Sequence, residues 1–492
     1  MRTLSKSKLI AWRQCPKRMW LEIHHPELRQ DSADTQNSYA VGNQVGEIAR
    51  QIYDPNGKGI LLNAQVDGYD ETLARTAELL QSGKMFFEGG FRAGGAQAFA
   101  DVMLPATRKG QRVWRMVEVK SSTEVKDYHR DDVAIQSFVA RAAGVPLLSV
   151  ELAHIDGTWV YPGDGDYSGL LVAEDLTDEA ASRDDEVKSW IAAAQAIAAQ
   201  NTEPEICTGA QCADPYNCGF IAHCQAQEPQ AEYPVSWLPR MDKALKGAIA
   251  SEHWRDLREV PDKLLNEKQQ RVKTATLTGK TWFDKAGAAK ELSAHKLPAY
   301  FLDFETTMSA VPIWKGTRPY QHIPFQFSVH RLSRSGKLES DAFLDLSGKD
   351  PSRKLAEALL AACGEHGPIF TYKMQFEKGR ITELAERFPR LKKALLALTE
   401  RLVDLLPIAE NHYYHPSQRG SWSIKAVLPA ICPDMDYADL EGVQHGGMAM
   451  DAYREAIAPE TSPARKAEIE TQLLVYCEMD TLAMVRLWEF FR

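Results

Sequence analysis

Two acidic residues, Asp303 and Glu305, lie within the otherwise apolar stretch YFLDFETT, residues 300–307. This stretch predicts a largely buried β-strand, and residues two apart in a strand point to the same face. Two carboxylates that are buried side by side repel each other and lose their hydration. The pair therefore indicates a site that holds a cation.

Further polar groups follow this strand in the C-terminal part of the chain. The stretch 369–381 predicts a strand that runs into a helix carrying Glu377, and the stretch 473–491 predicts a strongly periodic helix. Tyr476 and Asp480 are four residues apart on that last helix and lie on one face. Taken alone, this pair is typical of a helix surface. Together with the two strand carboxylates, it favours a shared site.

A second set of charged residues lies on two predicted strands in the N-terminal part. Asp101 interrupts the apolar stretch 98–105, and Glu118 and Lys120 point to the same face of the stretch 112–122. An acid within an apolar strand is costly to bury unless it is paired or binds a metal. Glu118 and Lys120 are also compatible with an ordinary surface pair on an edge strand, so both interpretations stay open.

Magnesium is a cation that these N-terminal carboxylates suit, because it prefers oxygen ligands. Asp101 and Glu118 are candidate ligands, and Glu47, on an upstream predicted helix, could complete the set. The ion would polarise a phosphate and activate a bound water, while Lys120 would orient that water or neutralise developing charge. Gln136, on the predicted helix that follows, is a further candidate for the same site.

Three cysteines, Cys212, Cys218 and Cys224, are spaced six residues apart, and Cys15 lies on the first predicted helix. Disulfides are rare in the cytoplasm, so the cluster favours metal ligation. Four thiolates suit either zinc or an iron–sulfur cluster, and the spacing alone does not decide between them. Cys207 lies outside the regular spacing and is expected to be a spare thiol. The remaining cysteines are expected in the core, at positions Cys363, Cys432 and Cys477.

The 492-residue chain has the composition of a globular protein with two or three domains. We expect an N-terminal domain, residues 1–228, a helical linker module, residues 229–297, and a C-terminal domain, residues 298–492. No stretch resembles a signal peptide or a membrane span, so the expected location is the cytoplasm. The formal net charge of −9 argues against a general polyanion binder. The basic stretch 268–290 is either a solvated linker or a surface that tracks a nucleic-acid strand.

The N-terminal motifs resemble those of RecB-like PD-(D/E)xK nucleases, in the branch of CRISPR-associated exonuclease-like proteins that carries an iron–sulfur cluster. The residues that carry the resemblance are Glu47, Asp101, the Glu-Val-Lys stretch 118–120 and Gln136. The resemblance implies a restriction-endonuclease-like core and favours a [4Fe–4S] cluster over zinc. The implied cluster ligands are Cys15, Cys212, Cys218 and Cys224. Ala140 stands where that family has a tyrosine.

The C-terminal motifs resemble those of DEDDy 3′–5′ exonucleases, which have a ribonuclease-H-like fold of a mixed sheet flanked by helices. The resemblance implies two divalent ions, Mg²⁺ or Mn²⁺, held by four carboxylates. These are Asp303, Glu305, Glu377 and Asp480. Tyr476 would orient the attacking water. Weaker candidates for substrate contact are Asp404, Ser423 and Lys425. Glu377 replaces an Asp of the family pattern, and Lys373 replaces an Asn.

Together, these motifs predict an α/β protein in which two nuclease sites are joined in one chain. The leading hypothesis is a metal-dependent nuclease. Within this class, a DNA exonuclease that acts at nucleic-acid ends is favoured. One alternative is an RNA-processing exoribonuclease that uses the C-terminal domain. The other is a non-catalytic protein that binds nucleic-acid ends through degenerate sites. The expected partner is nucleic acid, with DNA favoured over RNA, and no membrane is involved.

Overall fold

The computed structural model describes residues 2–492, which form two compact units. The first unit comprises residues 2–229 and the separate segment Ser309–Gln321. The second comprises Gln230–Met308 and His322–Arg492. The segment predicted as a linker module, residues 229–297, lies from Gln230 onward in the second unit. Both units combine mixed sheets with helices, which confirms the α/β class.

The first unit is built on a seven-stranded sheet with flanking helices. Its strands are β1 (Leu4–Ser5), β2 (Ile60–Leu61), β3 (Phe86–Ala93), β4 (Ala96–Arg108), β5 (Gln111–Lys120), β6 (Leu147–Ile155) and β7 (Leu171–Asp175). Its helices are α1 (Lys6–Gln14), α2 (Pro16–His24), α3 (Ala33–Tyr53), α4 (Ala64–Asp67), α5 (Tyr69–Ser82), α6 (Asp127–Ala142), α7 (Thr177–Ser182), α8 (Asp184–Ala198) and α9 (Ile221–Ala226). The strand order is β2-β3-β4-β5-β6-β7, and β1 pairs with β4. Only the β5–β6, β2–β3 and β1–β4 pairs are parallel.

Alternating side chains of β5 face two different layers. Trp114 and Met116 belong to a core that includes residues of α1, α6 and α8, whereas Val117 packs in a second cluster together with Tyr53 of α3. Glu118 and Lys120 follow Trp114 and Met116 at intervals of two, so they point toward the layer of α1 and α6. The predicted strands and the helix carrying Gln136 thus place these charged groups between the sheet and two helices.

The second unit is built on a five-stranded sheet in the order β11-β10-β9-β12-β13. The strands of this unit are β8 (Trp282–Phe283), β9 (Ala299–Thr307), β10 (Ile323–Leu332), β11 (Leu338–Leu344), β12 (Ile369–Thr371), β13 (Leu402–Asp404) and β14 (Tyr413–Tyr414). Strands β9, β10 and β11 are antiparallel, and β12 and β13 run parallel to β9. Strands β8 and β14 form a separate antiparallel pair.

The second unit contains ten helices, and the longest of them packs against the central strand of the sheet and one of its neighbours. The helices are α10 (Lys243–Glu252), α11 (Glu267–Thr278), α12 (Lys285–Leu292), α13 (Ser352–Cys363), α14 (Gln375–Arg387), α15 (Lys392–Thr399), α16 (Leu405–His412), α17 (Ile424–Ile431), α18 (Gly446–Ile457) and α19 (Pro463–Phe491). Helix α19 packs on β9 and β10 and buries Tyr476, Cys477 and Asp480. The predicted strand 300–307 and helix 473–491 correspond to β9 and to the C-terminal part of α19. Within residues 2–492, no helix has the length and apolar character needed to cross a membrane.

The sequence predicted Cys15 on the first helix, and this prediction is wrong, because Cys15 lies between two helices. It adopts an extended conformation, with φ −161° and ψ 118°, at the end of α1 and directly before α2. Pro16 follows it, and a proline disfavours the helical conformation of the preceding residue while suiting the first position of a new helix. The helix therefore breaks at the cysteine.

Candidate functional site

The second unit brings four acidic side chains together at the centre of its sheet. Asp303 and Glu305 extend from β9, Asp480 from α19, and Glu377 from the first turn of α14. Glu305, Glu377 and Asp480 are all less than 10% exposed. The charges of Asp480, Glu305 and Glu377 all act on Asp303. The sequence-predicted carboxylates of this part of the chain therefore meet in one pocket.

Two tyrosines and a lysine fix the polar groups of this pocket. Tyr437 donates a hydrogen bond of 2.6 Å from its hydroxyl to Asp480 Oδ1. Lys425 donates to Tyr476 Oη at 3.2 Å and to the carbonyl oxygen of Gln444 at 2.6 Å. The ammonium of Lys425 also lies 4.8 Å and 4.9 Å from the ring centroids of Tyr437 and Tyr476. Tyr476 is thus held in a defined position beside Asp480.

Burial raises the pKa of each carboxyl in the pocket, and mutual repulsion adds to the effect. Burial and the charge of Asp480 raise the pKa of Glu305 to about 8, while Lys425 opposes the shift. Burial and the charge of Asp404 raise the pKa of Glu377 to about 8. Burial raises the pKa of Asp480 to about 6, against the hydrogen bond from Tyr437. A bound divalent cation would remove this cost, because it stabilises the ionised carboxylates.

One carboxylate oxygen of Glu377, Oε2, is buried without a hydrogen-bond partner among the described residues. Buried polar atoms in proteins are almost always paired, so such an atom calls for an explanation. A metal ion bound beside Asp303 provides one, since a carboxylate oxygen is a ligand that hard cations prefer.

The free energy of unfolding of the metal-free protein, kept in a chelator, should fall as the pH rises from about 4.5 to about 8. In this range the unfolded chain releases the protons of Glu305 and Glu377, whose ordinary pKa is 4.5, while the folded chain retains them. The folded state then binds more protons, so the free energy of unfolding decreases with pH. Thermal unfolding of the full chain in a chelator, at pH 6 and pH 8, measures this slope.

Glu377→Gln is the matched variant for that measurement, because an amide cannot release a proton. We expect its stability to depend less on pH than that of the wild type. Added Mg²⁺ or Mn²⁺ should restore more stability to the wild type at pH 8 than at pH 6. An unchanged pH slope in the variant would show that Glu377 does not retain its proton in the folded state.

Asp404 and Lys373 shape the turn that carries Glu377. The two carboxylate oxygens of Asp404 accept hydrogen bonds from the backbone N–H groups of Lys373 and Met374, each at 3.1 Å. Asp404 Oδ1 also accepts from the N–H of Leu406 at 3.0 Å. Lys373 has a positive φ of 71° in this turn. Asp404, a weak candidate for substrate contact, thus has backbone partners in the second unit.

A second charged pocket lies in the first unit, between β5, α1 and α6. Lys6 Nζ donates to Glu118 Oε1 at 2.8 Å and to Asp132 Oδ2 at 3.3 Å. Lys120 Nζ donates to Glu118 Oε1 at 2.7 Å and also contacts Asp132. Burial opposes the charge on Lys120, yet Asp132 and Glu118 raise its pKa well above the ordinary value. Glu118 and Lys120 are therefore part of a four-residue ionic cluster.

The two remaining acids of this pocket are Asp101 and Glu88. Asp101 Oδ2 accepts a hydrogen bond of 2.6 Å from the N–H of Val119. Burial and the charges of Glu118 and Glu88 raise the pKa of Asp101 well above its ordinary value. Glu88 has a positive φ of 57° and lies between two cross-strand pairs that join β3 to β4. The other predicted ligand, Glu47, is exposed on α3, a helix that packs against β4 and β5.

Gln136 is fully buried on α6 and supports the neighbouring strand. Its Nε2 atom donates to the carbonyl oxygen of Phe99 on β4, and its Oε1 atom finds no hydrogen-bond partner within residues 2–492. Ala140, one turn later, is also fully buried in the core. The position that carries a tyrosine in the resembling family therefore faces the protein interior here.

Lys6→Met should destabilise the first unit, because it leaves two buried carboxylates with one ammonium. We expect a loss of about 2–4 kcal/mol in the free energy of unfolding, somewhat below the ~3–5 kcal/mol typical of a broken buried pair, since Lys120 still contacts both acids. Lys8→Met is the matched control: its partner Glu22 also binds Arg18 at 3.0 Å. The control should lose less than about 1 kcal/mol. Chemical denaturation of both variants measures the difference, and equal losses would contradict the ionic cluster.

Five cysteines line one cavity of the first unit. They are Cys15, Cys207, Cys212, Cys218 and Cys224, and all of them are free thiols. The N–H of Cys218 donates to the carbonyl oxygen of Cys212 at 2.8 Å, so the loop folds back on itself. Gln14 of α1 donates to the carbonyl oxygens of Gln211 and Tyr216 at 2.7 Å each. The early helix and the late loop are thereby tied together.

The donors around this cavity fit a metal cluster with thiolate ligands. Burial raises the pKa of the Cys224 thiol to about 11, and the nearby Lys17 ammonium opposes the shift. Burial also raises the pKa of Cys218, against a smaller effect of Arg18. Lys17 and Arg18 both line the cavity, where their charges offset those of bound thiolates. The four predicted ligands thus surround a cavity with compensating cations, and Cys207 is exposed at the same cavity.

The basic stretch 268–290 has several partners within the second unit. Lys268 binds Glu410 at 2.7 Å, and Lys273 binds Asp262 at 2.7 Å. The guanidinium of Arg271 lies 3.4 Å from the ring centroid of Trp282. Several basic side chains of this stretch therefore form ion pairs or cation–π contacts within the second unit.

Residues 300–423 match a family described as Domain of unknown function (DUF2779). The matched range includes Asp303, Glu305 and Glu377 and ends before α19, which carries Asp480. None of the curated proteins compared with the chain matches it.

The sequence did not predict several residues that lie in the two pockets. These are Lys6, Glu88, Asp132, Tyr437 and Cys477. Asp132 precedes Gln136 by four residues on α6, so helical spacing could have indicated it. Cys477 was expected in the core, and it is fully buried; however, its sulfur and carboxylate oxygens of Asp303 and Glu305 all lie within 4.8 Å of one another.

Proposed function

We propose that the protein is a metal-dependent nuclease that hydrolyses phosphodiester bonds at nucleic-acid ends, with DNA favoured over RNA. The observation that carries this proposal is the pocket of the second unit. Three buried carboxylates and the half-buried Asp303, all with raised pKa values, lie there beside a positioned tyrosine. A buried cluster of like charges is costly without a cation, and paired divalent ions are typical of nucleases.

The topology of the second unit supports this proposal. Three antiparallel strands continue into two parallel ones, and the first strand of the sheet, β9, lies at its centre. A mixed sheet flanked by helices is what the resemblance to DEDDy exonucleases implies. Asp303 and Glu305 lie on the central strand β9 of this sheet.

Each residue of the pocket has a defined task in the proposed reaction. Bound divalent ions would supply an activated water and stabilise the leaving oxygen. The four carboxylates would hold those ions, and Tyr437 would orient Asp480 through its 2.6 Å hydrogen bond. Lys425 fixes the Tyr476 hydroxyl, which would direct the attacking water toward the phosphorus.

The first unit would provide a second hydrolytic site. Asp101 and Glu118 are its candidate ligands, and Glu118 Oε2 is buried without a hydrogen-bond partner in the described chain. Lys120 would stabilise charge that develops on the phosphate. A [4Fe–4S] cluster held by the four predicted cysteines would stabilise the fold of this unit.

Cleavage of end-labelled strands tests the proposal. Full-length protein is incubated with single-stranded DNA or RNA, labelled at the 5′ or the 3′ end, in the presence of Mg²⁺ or Mn²⁺. We expect shortening of DNA that Asp303→Asn or Lys120→Ala reduces, each variant reporting on its own unit. Cleavage that neither variant reduces would contradict both site assignments. Tight end binding without any cleavage would contradict the enzymatic proposal and favour an end-binding protein.

A further inference from the structure

The carboxylate pocket of the second unit contains a sulfur atom that the proposed function does not use. Cys477 lies between Tyr476 and Asp480 in sequence and is fully buried. Its Sγ atom and carboxylate oxygens of Asp303 and Glu305 lie within 4.8 Å of one another. The thiol is also 3.9 Å from the backbone carbonyl oxygen of Asp303. Its sulfur therefore belongs to the same group of potential ligands as the two strand acids.

We propose that Asp303, Glu305 and Cys477 form a site for a borderline or soft divalent cation such as Zn²⁺. This inference deepens the proposed function and rests on the same pocket. Zinc accepts mixed oxygen and sulfur ligands, and catalytic zinc sites have three protein ligands with one open position. The three ligand atoms lie within 4.8 Å of one another, and a tetrahedral zinc ion would draw sulfur and oxygen ligands to a separation of about 3.6 Å. Magnesium, in contrast, demands oxygen ligands in an octahedral arrangement.

The two other acids of the pocket, Asp480 and Glu377, lie outside this triad. Tyr437 donates a hydrogen bond to Asp480 Oδ1, and the Tyr476 hydroxyl also acts on this carboxylate. Glu377 Oε2 is buried and, in the described structure, lacks a hydrogen-bond partner, while its charge acts on Asp303. The charges of Asp480 and Glu377 thus act on Asp303 from outside the triad, whereas the only sulfur among these groups is that of Cys477.

Binding at the triad requires a change of protonation. Burial, followed by the charges of Asp303 and Glu305, raises the pKa of the Cys477 thiol well above its ordinary value, so the metal-free thiol is neutral. A cation of this class would bind the thiolate, and the thiol proton would leave to solvent. No oxidation or bond cleavage accompanies this exchange.

Cadmium titration of the full-length protein tests the site, because a Cd²⁺–thiolate bond produces an ultraviolet charge-transfer band. The titration uses anaerobically purified protein with the proposed metal cluster in place, so that the cavity thiols are occupied. We expect one Cd²⁺-dependent band that Zn²⁺ abolishes by competition. Cys477→Ser should remove this band and lower the ratio of Cd²⁺ affinity to Mg²⁺ affinity by at least about tenfold, since loss of even an outer partner of a metal costs about 10–100-fold.

Cys363→Ser is the matched control, because Cys363 is equally buried in the same unit but packs against an apolar cluster on α13. Its band should equal that of the wild type, whereas Asp303→Asn should weaken the band. An undiminished band in Cys477→Ser would overturn the proposed sulfur ligand. Failure of nucleic-acid cleavage alongside an intact Cd²⁺ band would instead refute the proposed function and leave this site standing.

Discussion

Asp303→Asn should strongly reduce the proposed nucleic-acid cleavage by the second unit and, in the absence of metal, make the protein more stable. Asp303 is the carboxylate on which the three other acids of the pocket act. Loss of this ligand should reduce the cleavage rate on the order of 10²–10³-fold, because a bound metal contributes several kcal/mol to the transition state and each ~1.4 kcal/mol is a factor of ten. The opposite signs for activity and stability are expected of a site in which charge is concentrated for binding.

The stability gain follows because an asparagine has no carboxyl to ionise. Burial and the neighbouring acids raise the pKa of Asp303 well above its ordinary value, so this carboxyl lowers the free energy of unfolding at pH 8. A gain of about 1 kcal/mol corresponds to a rise of roughly 2–4 °C in Tm for a unit of this size. Thermal unfolding at pH 8 in a chelator measures it, and added Mg²⁺ should narrow the difference by stabilising the wild type more.

Asp341→Asn is the control, because Asp341 is exposed on β11 of the same sheet. It should change neither the cleavage rate nor the Tm appreciably. If Asp303→Asn cleaved as fast as the wild type, the pocket could not be the site of hydrolysis.

Cys218→Ser should remove the proposed metal cluster of the first unit and destabilise that unit by several kcal/mol. Cys218 is the most buried of the cavity cysteines and packs with Trp20 and Phe220. Metal binding adds directly to folding free energy, with apparent values of about 10–16 kcal/mol for structural zinc in small domains. The visible absorbance, the iron and sulfide content and the thermal unfolding of anaerobically purified protein report the loss.

Cys207→Ser is the matched control for this experiment. Cys207 lines the same cavity but is exposed and stands outside the six-residue spacing. We expect it to retain iron, sulfide and stability. Zinc without iron in the wild type would contradict the [4Fe–4S] assignment while preserving the thiolate site. Equal losses in both variants would contradict the proposed set of four ligands.

The sequence predicted those parts of the molecule whose pattern is local. Alternation along 300–307 predicted β9, and the spacing of Tyr476 and Asp480 predicted their common face on α19. The same reasoning predicted that Glu118 and Lys120 share one face of β5. Local periodicity is a physical consequence of strand and helix geometry, so it can be read without knowledge of the tertiary fold.

The unpredicted residues depend on contacts between distant parts of the chain. Lys6 meets Glu118 across 112 positions, and no spacing rule joins them. Tyr437 reaches Asp480 from a short turn, where its pattern resembles that of any packed aromatic residue. Cys477 continues the apolar face of α19. The sequence pattern of such a face does not show whether it packs against apolar side chains or against carboxylates. Only the three-dimensional structure separates these cases.

The connection between β9 and β10 gives the chain an unusual order. Residues before Pro229 form most of the first unit, yet Ser309–Gln321 also belongs to it, and Tyr320 of that segment donates to the carbonyl oxygen of Ser121, directly after Lys120. The polypeptide therefore passes from one unit to the other three times. A fragment that ends at Pro229 lacks the segment Ser309–Gln321, which belongs to the first unit. Dissection of the two proposed activities thus calls for point substitutions in the intact polypeptide, because a single cut cannot yield two complete units.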